Sequence, residues 1–538
     1  MAKPKRSKTK KQRRYPITPS EARDAVHAVE AHGGINPAAK ALGRSRSWLH
    51  RRLRKADTWG ISAHGEVEAS LARRLDTPTE TPARYILTAA QSNTKAHAGL
   101  WQNLKALADH YSAEIMVGRI RYNHTDWQVG QEKVNRAADK SLWYDADLEP
   151  YFCDERVEIC PGLIWAGDMN IIPTATTPLS GLDSFTGSSS CIFPHPQISM
   201  KSVATAPRTP TKFNYTTGAV TLKNYIKRKA GLKAEFHHAY AALIVEVDAA
   251  GDWFVRQVNA DSDGVIYDLG LRVSAGCVEQ DHPALVLTPG DIHGTEVDLI
   301  ALETVWGVGG LLDVLRPEFQ VLHDVLNFGR RSHHNTVFDL IAAHYNRAES
   351  VEGEIEGTSQ ILNQMLRPGV VTYVAKANHD EHFDRWVSEA DFRRDPINAA
   401  FYLEAAAQKV GAIKRAEAGF DLAEWALKRA GLNDDVKFLA RDERLEIAGI
   451  RHDQHGDIGP NGARGSAANL ARTGEKSNIG HSHSACIHHG CYQMGTMSVL
   501  DMGYNQGPSS WSHSLTVTYA NGKRTIITLK NGKWRAAP

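Results

Sequence analysis

The sequence predicts an α/β protein built from a small N-terminal helical module, a middle α/β domain and a larger C-terminal domain. Three observations predict it. Residues 18–55 carry short helical patterns broken by glycines, residues 85–120 read strand, helix, strand, and four apolar strands after residue 283 end in carboxylate, amide or imidazole side chains. At 538 residues the chain is longer than one ordinary domain and can bury sizeable cores. Its composition, 42% hydrophobic and 23% charged, is that of a globular chain without a membrane partner. No apolar run approaches the roughly 18 residues that suggest a membrane helix. The first residues have no apolar stretch behind them, so they do not read as a secretory signal. Six scattered cysteines suit reduced thiols in a cytoplasm better than a disulfide framework.

The net charge of +2 conceals an asymmetry: residues 1–14 hold eight Lys or Arg and no acid. A tail of this kind, about residues 1–15, is expected to be disordered and can neutralise phosphates without reading sequence. The module that follows, about 16–60, opens at Thr18-Pro19-Ser20-Glu21, a helix start, with Ala22, Ala25, Val26 and Val29 as an apolar stripe. A short helix near 36–42, a turn at Gly43 and the basic run "RSRSWLHRRLRKA" complete a helix-turn-helix pattern. In that geometry Arg44, Ser45, Arg46, Ser47 and His50 lie near base edges or phosphates. Arg51, Arg52, Arg54 and Lys55 meet backbone phosphates, and Trp48, Leu49 and Leu53 pack inward. DNA is the partner this predicts. A helical hairpin used for protein contacts is the plainer alternative.

A mixed polar linker, about 61–80, leads to the middle domain, about 81–280. Strands near 85–89 and 114–120 flank a helix near 97–110, which is a βαβ unit and so a parallel layer. "GLIWAGDMNI", "HAYAALIVEVD" and "DWFVRQVNA" read as further strands, and the Pro/Thr/Ser/Gly-dense stretch 173–218 reads largely as loop. Lys223, Lys227, Arg228, Lys229 and Lys233 near Tyr215 and Tyr225 offer a weak nucleic-acid cradle. This domain carries no recognisable chemistry.

The chemistry lies in about 281–538. "PALVLTPGDIHG" delivers Asp291 and His293. "PEFQVLHDVLN" delivers Asp324, with Asn327 three residues on. "RPGVVTYVAKANHDEH" delivers Asn378, His379 and Asp380. "ERLEIAGIRHDQHGD" offers His452 or His455, and "NIGHSH" adds His481 and His483. Ligands gather at the carboxyl ends of strands in open α/β sheets, so the five clusters can converge. Carboxylate, amide and imidazole together suit Mn²⁺, Fe²⁺ or Zn²⁺ and not an all-thiolate structural zinc. An extended backbone through 481–483 would send His481 and His483 to one side. Cys486, His488, His489 and Cys491 read as the loop beyond them, with a separate zinc knuckle as the alternative.

This ordered set resembles the calcineurin-like, Mre11-type dinuclear metallophosphoesterase family, over about residues 283–520. The family's D-x-H, G-D-x-x-D/N, G-N-H-D/E, lone His-Gly and G-H-x-H motifs correspond to Asp291-Ile292-His293, His323 to Asn327, Ala377 to Asp380, His455-Gly456 and Gly480 to His483. His323 and Ala377 stand where the family has glycine. The resemblance implies a β-sandwich flanked by helices and two divalent metal ions, Mn²⁺ first among the candidates. Asp291, His293 and His483 would hold the first ion, Asn378, His455 and His481 the second, and Asp324 would bridge them. A two-metal-activated hydroxide would attack phosphorus. His379, oriented by Asp380, would protonate the leaving oxygen or steady its charge. Arg330 and Arg331 are candidate phosphate clamps.

The family spans many phosphoester substrates, so the N-terminal basic tail and helices decide for DNA. The combination is also similar to large phage-encoded metallophosphoesterases, which places the expected enzyme, a DNase, in a bacterial host cytoplasm. Two alternatives stand beside it: a DNA-binding regulator or scaffold with a vestigial phosphoesterase domain, and a phosphatase acting on nucleotides or phosphoproteins. A chain of this size is also compatible with a homo-oligomer.

Overall fold

The computed structural model describes residues 19–32, 35–58, 73–122 and 142–536. The basic tail, the Gly33-Gly34 pair and residues 59–72 of the linker region lie outside the described residues. The chain divides into two compact units, Met1–Ala72 and Arg73–Pro538.

The small unit holds three helices, Pro19–Ala31, Ile35–Ala41 and Arg46–Thr58. Ala25, Ala38, Ala39 and Leu49 form its core, with Trp48 and Leu53 packed against them. Small alanines let the helices approach closely, and Leu49 fills the gap they leave. Ser45 ends the turn: its hydroxyl accepts the Trp48 N–H at 3.2 Å. Arg44, Ser45, Arg46, Ser47, His50 and Arg51 are exposed, while the side chain of Arg54 lies outside the described residues. Arg52 departs from the phosphate-facing role. Its guanidinium donates to Glu21 at 2.8 Å and covers the Trp48 ring at 3.8 Å. It is only 11% exposed, because position 52 follows Trp48 by one helical turn and lies over it.

The larger unit is a mixed α/β body of several sheets. The predicted βαβ unit is present: Ala83–Gln91 and Glu114–Ile120 pair in parallel, with the helix Ala98–Tyr111 between them in sequence. Ala241–Val247 and Trp253–Asn259 extend this sheet to four strands. A six-stranded sheet runs in the order Lys437–Phe438, Val371–Ala375, Phe319–His323, Val286–Thr288, Ser514–Thr518, Arg524–Thr528. Its first four strands are parallel and its last two antiparallel to their neighbours. Buried Leu287, Leu322 and Val374 from the parallel strands join the core beneath the helices, as strands covered on both faces require.

The eleven-stranded sheet takes strands from both sides of residue 280, where the sequence suggested a boundary. Met200–Val203 pairs with Cys486–His488, and Ile450–Arg451 and Ser477–Ile479 continue the sheet on the C-terminal side. The stretch 173–218, expected to be largely loop, supplies Ser190–Phe193, Met200–Val203 and Lys212–Thr216, all paired within this sheet. These strands are short and interrupted by proline, so their hydrophobic period is hard to see in sequence. Tyr215 and Tyr225 are buried, the latter with its hydroxyl 2.8 Å from His238 Nδ1. Neither ring is free to stack on a base, which removes the aromatic half of the cradle expected near Lys223–Lys233. Among the described residues no helix is long and apolar enough to cross a membrane.

Candidate metal centre

Three ligand loops leave the carboxyl ends of adjacent parallel strands. Asp291 and His293 follow Val286–Thr288, Asp324 follows Phe319–His323, and Asn378 and His379 follow Val371–Ala375. The fourth and fifth come from the other sheet: His455 follows Ile450–Arg451, while His481 and His483 follow Ser477–Ile479. The two sheets are held together here by the bridge between Asp291 and Thr496 and by the Met497 N–H, which donates to the Asp291 carbonyl at 2.8 Å.

Asp291, His293, Asp324 and His483 form one buried group whose candidate ligand atoms all lie within 4.8 Å of one another. His293 Nε2 is 2.9 Å from His483 Nε2, and His483 Nε2 is 3.2 Å from Asp291 Oδ2. His455 spans the two carboxylates, with Nδ1 3.8 Å from Asp291 Oδ1 and Nε2 3.6 Å from Asp324 Oδ2. His481 Nδ1 is 3.1 Å from Asn378 Oδ1, and its backbone N–H donates to Asp291 Oδ2 at 2.7 Å. All seven expected ligands therefore gather at one place. His452 does not join them: its Nδ1 is 3.1 Å from the Thr288 hydroxyl.

The donor set suits a divalent cation. Asp291 Oδ1, His293 Nδ1, His483 Nδ1 and both ring nitrogens of His455 are buried without a hydrogen-bond partner. Unpaired polar atoms in a low-dielectric site cost about 1–3 kcal/mol each, a cost that coordination would remove. The titration pattern agrees. Burial works against the Asp291 charge, but His455, His483 and His293 outweigh it and hold the carboxyl well below the usual range. Asp324 is raised by burial and by Asp291 and Asp380. Burial keeps His293 and His455 neutral, the form that ligates metal.

The backbone holds these groups in place at a price. His293, Asp324, His481 and His483 all have positive φ, at 55°, 52°, 73° and 58°. A left-handed non-glycine residue costs about 1–2 kcal/mol, and such strain concentrates where side chains must be aimed. His481 and His483 thus reach the cluster from a tight turn, closed by the Ser482 N–H donating to the Gly480 carbonyl at 3.0 Å, and not from an extended strand. Cys486–His488 and Cys491–Gln493 form a hairpin just beyond, and among the described residues the only grouped metal ligands are those around Asp291.

His379 stands beside the cluster, its ring 4.8 Å from that of His293. Its Nδ1 is 3.0 Å from the Asn327 carbonyl, which can only accept, so Nδ1 carries the proton. Asp380 does not orient this ring. As the first residue of the helix Asp380–Glu389 it points inward and accepts the backbone N–H groups of Leu326 and Ala377, at 3.0 and 3.1 Å. It ties two ligand loops together, and burial pushes its carboxyl up to about 7. Ala377 and His323, at the family's glycine positions, are both buried; the His323 ring lies 5.8 Å from that of His455. Arg331 is engaged by Asp395 through Nε and Nη2 at 2.6 and 3.0 Å, so its fork is already filled. No ion pair holds Arg330 among the described residues, and its backbone N–H donates to Glu354 at 3.0 Å.

Sequence reasoning missed two contributors and the role of a third. Asn327 orients His379 through its main chain, which no side-chain motif announces. Trp511 packs edge-on against His483 at 4.2 Å, with Tyr504 next to it at 5.8 Å. The aromatics of "GYNQGPSSWSH" were the available signal.

No family model matches the chain, and no solved structure matches it. Protein A1 of Escherichia phage T5 is 36% identical over 467 residues, which cover 84% of this chain and 83% of that protein. Identity at this level across most of both chains makes them relatives, and the chain belongs to the family of phage T5 Protein A1.

Proposed function

We propose that the protein is a dinuclear metal-dependent phosphodiesterase that hydrolyses DNA, with the N-terminal helices as its DNA-holding module. One observation carries this reading. Two carboxylates, four imidazoles and an amide from five separate loops converge, and several of their donor atoms are buried without partners. Structural histidines are normally hydrogen-bonded, so unpaired ones facing carboxylates point to a cation. A mostly parallel sheet with a helical core against it, bridged at Asp291 to a second sheet, is compatible with the sandwich that such an enzyme would need.

Asp291, His293 and His483 would hold one ion and Asn378, His455 and His481 the other, with Asp324 between them. Bound there, divalent ions lower the pKa of water and neutralise phosphate oxygens. The chain's own work is orientation and proton handling. Asp380 fixes the Asp324 and Asn378 loops to each other, and Asn327 holds the His379 ring with Nε2 free. Burial lowers the pKa of His379, and the anionic phosphodiester of an arriving substrate would raise it again, so that Nε2 could carry the proton given to the leaving oxygen.

The direct test is supercoiled plasmid incubated with the protein in Mn²⁺, Mg²⁺ or EDTA. Nicking or linearisation with Mn²⁺ that EDTA abolishes is expected. Intact plasmid with every metal, together with a normal gel shift, would favour the regulator reading, and turnover of a small phosphomonoester alone would favour the phosphatase.

The N-terminal module makes a separate prediction. Deleting residues 1–60 is expected to weaken DNA binding and flatten its salt dependence, by roughly 0.9 in the log–log slope for each phosphate contact removed. Fluorescence anisotropy at several salt concentrations measures the slope. An unchanged slope would place the DNA contacts elsewhere.

A further inference from the structure

A cavity of about 750 Å³ lies beside the metal centre, with His481 and Gly456 among its lining residues. Its walls come from two distant parts of the chain. Thr176–Ser180, Gln197 and Ser199 to Lys201, from the region to which the sequence assigned no chemistry, line it together with Arg464–Ala468 and the hairpin residues Cys486–His488, the last paired with Met200 and Lys201 in one sheet. The volume falls in the range of small-ligand sites, about 300–1,000 Å³.

The chemistry of the walls is selective. Pro178, Leu179, Met200 and Ile487 give apolar surface, while Ser180, Ser199 and Ser466 add hydroxyls. Among the described residues no carboxylate lines the cavity. It contains two cations. Lys201 is neutralised by Asp183 at 2.7 Å, whereas Arg464 is exposed and has no ion pair among the described residues.

The loop carrying Arg464 is held rigidly. The Gly465 N–H donates to the Asp457 carbonyl at 2.8 Å, and a Cβ at Gly465 would lie 1.9 Å from the Gly456 carbonyl oxygen. The backbone that carries Arg464 is therefore anchored to the segment that carries His455, a residue of the metal centre. The cavity thus combines a residue of the metal centre, His481, a cation without an ion pair, Arg464, and a mixed apolar and hydroxyl lining.

We propose that this cavity binds a nucleoside attached to the reacting phosphate, with Arg464 taking the next phosphate along the strand. The assignment rests on the hydrolytic reading above and gives the middle region a role: it builds one wall of the substrate site. A phosphorylated protein side chain would leave the cavity mostly unfilled, and a mononucleotide would leave Arg464 without a partner. A polynucleotide satisfies both.

The probe is thymidine 3′,5′-bisphosphate, a nucleoside with a phosphate on either side, titrated calorimetrically into the full-length Mn²⁺-loaded protein against inorganic phosphate. The bisphosphate is expected to bind at least about tenfold tighter than phosphate, the scale of one charge-assisted contact plus base burial. Arg464→Glu, which reverses the charge, and Ala468→Trp, which fills the cavity from an exposed position, should each remove that advantage. Thermal melts matching the parent protein check that both variants fold. A bisphosphate no tighter than phosphate, or an advantage retained in both variants, overturns the proposal. The plasmid assay separates the two claims. Cleavage with the advantage absent rejects the cavity and leaves the hydrolase. An advantage lost in the variants of a protein that cuts nothing keeps the cavity and rejects the hydrolase.

Discussion

Replacing His379 with alanine is expected to lower Mn²⁺-dependent DNA cleavage by about 10²–10⁴-fold, the usual contribution of a positioned acid or base. The metal content should not change. His379 lies against the cluster through its ring contact with His293, yet its Nδ1 is committed to the Asn327 carbonyl at 3.0 Å. It is not among the side chains grouped around Asp291. Single-turnover cleavage beside metal analysis of the purified variant measures both quantities. A variant that loses its metal together with its activity would make His379 a structural support of the centre. A variant that cuts as well as the parent would remove it from the mechanism.

Gly480→Ala is expected to behave like a ligand mutation although it removes no ligand. A Cβ at Gly480 would lie 2.0 Å from Asp291 Oδ1 and 3.0 Å from its Cγ, and the neighbouring His481 N–H already binds Oδ2 at 2.7 Å. The carboxylate has no room to retreat, since Asp291 is fully buried. Either the Asp291 side chain or the turn bearing His481 and His483 must shift. Displacing groups that orient metal ligands typically costs 10–100-fold in metal affinity or activity. Calorimetric Mn²⁺ titration should show that loss, and the rise in melting temperature on adding Mn²⁺ should shrink with it. Gly419→Ala, whose added methyl meets nothing within 4 Å, is the control. Equal Mn²⁺ affinity in the two variants would mean that the turn absorbs the methyl without moving its ligands.

Much of the site was legible in the sequence because parallel strands that end in ligands leave a local signature. The runs before Asp291, Asp324 and Asn378 are apolar over a strand's length and then become polar, and that change marks the strand end. The fourth motif was ambiguous for the opposite reason. Ile450–Arg451 is only two residues long, so no period fixes which of His452 and His455 faces the carboxylates. The short strands within 173–218 were obscured in the same way, because pairing with distant strands holds them and their own pattern does not.

The sequence by itself determined which side chains are available to the site, their order along the chain, and the three-helix pattern of the N-terminal module. Those follow from residue chemistry and from periods of two or 3.6 residues, which are properties of neighbours in the chain. Only the tertiary structure decided where the side chains point. It turned Arg52 onto Trp48, gave the orientation of His379 to Asn327 instead of Asp380, and occupied Arg331 with Asp395. It also set His481 and His483 on a left-handed turn and brought Thr176–Ser180 into the cavity that Arg464 lines. These outcomes depend on which buried donor or charge must be satisfied by a partner tens or hundreds of residues away. Local spacing carries no record of that requirement.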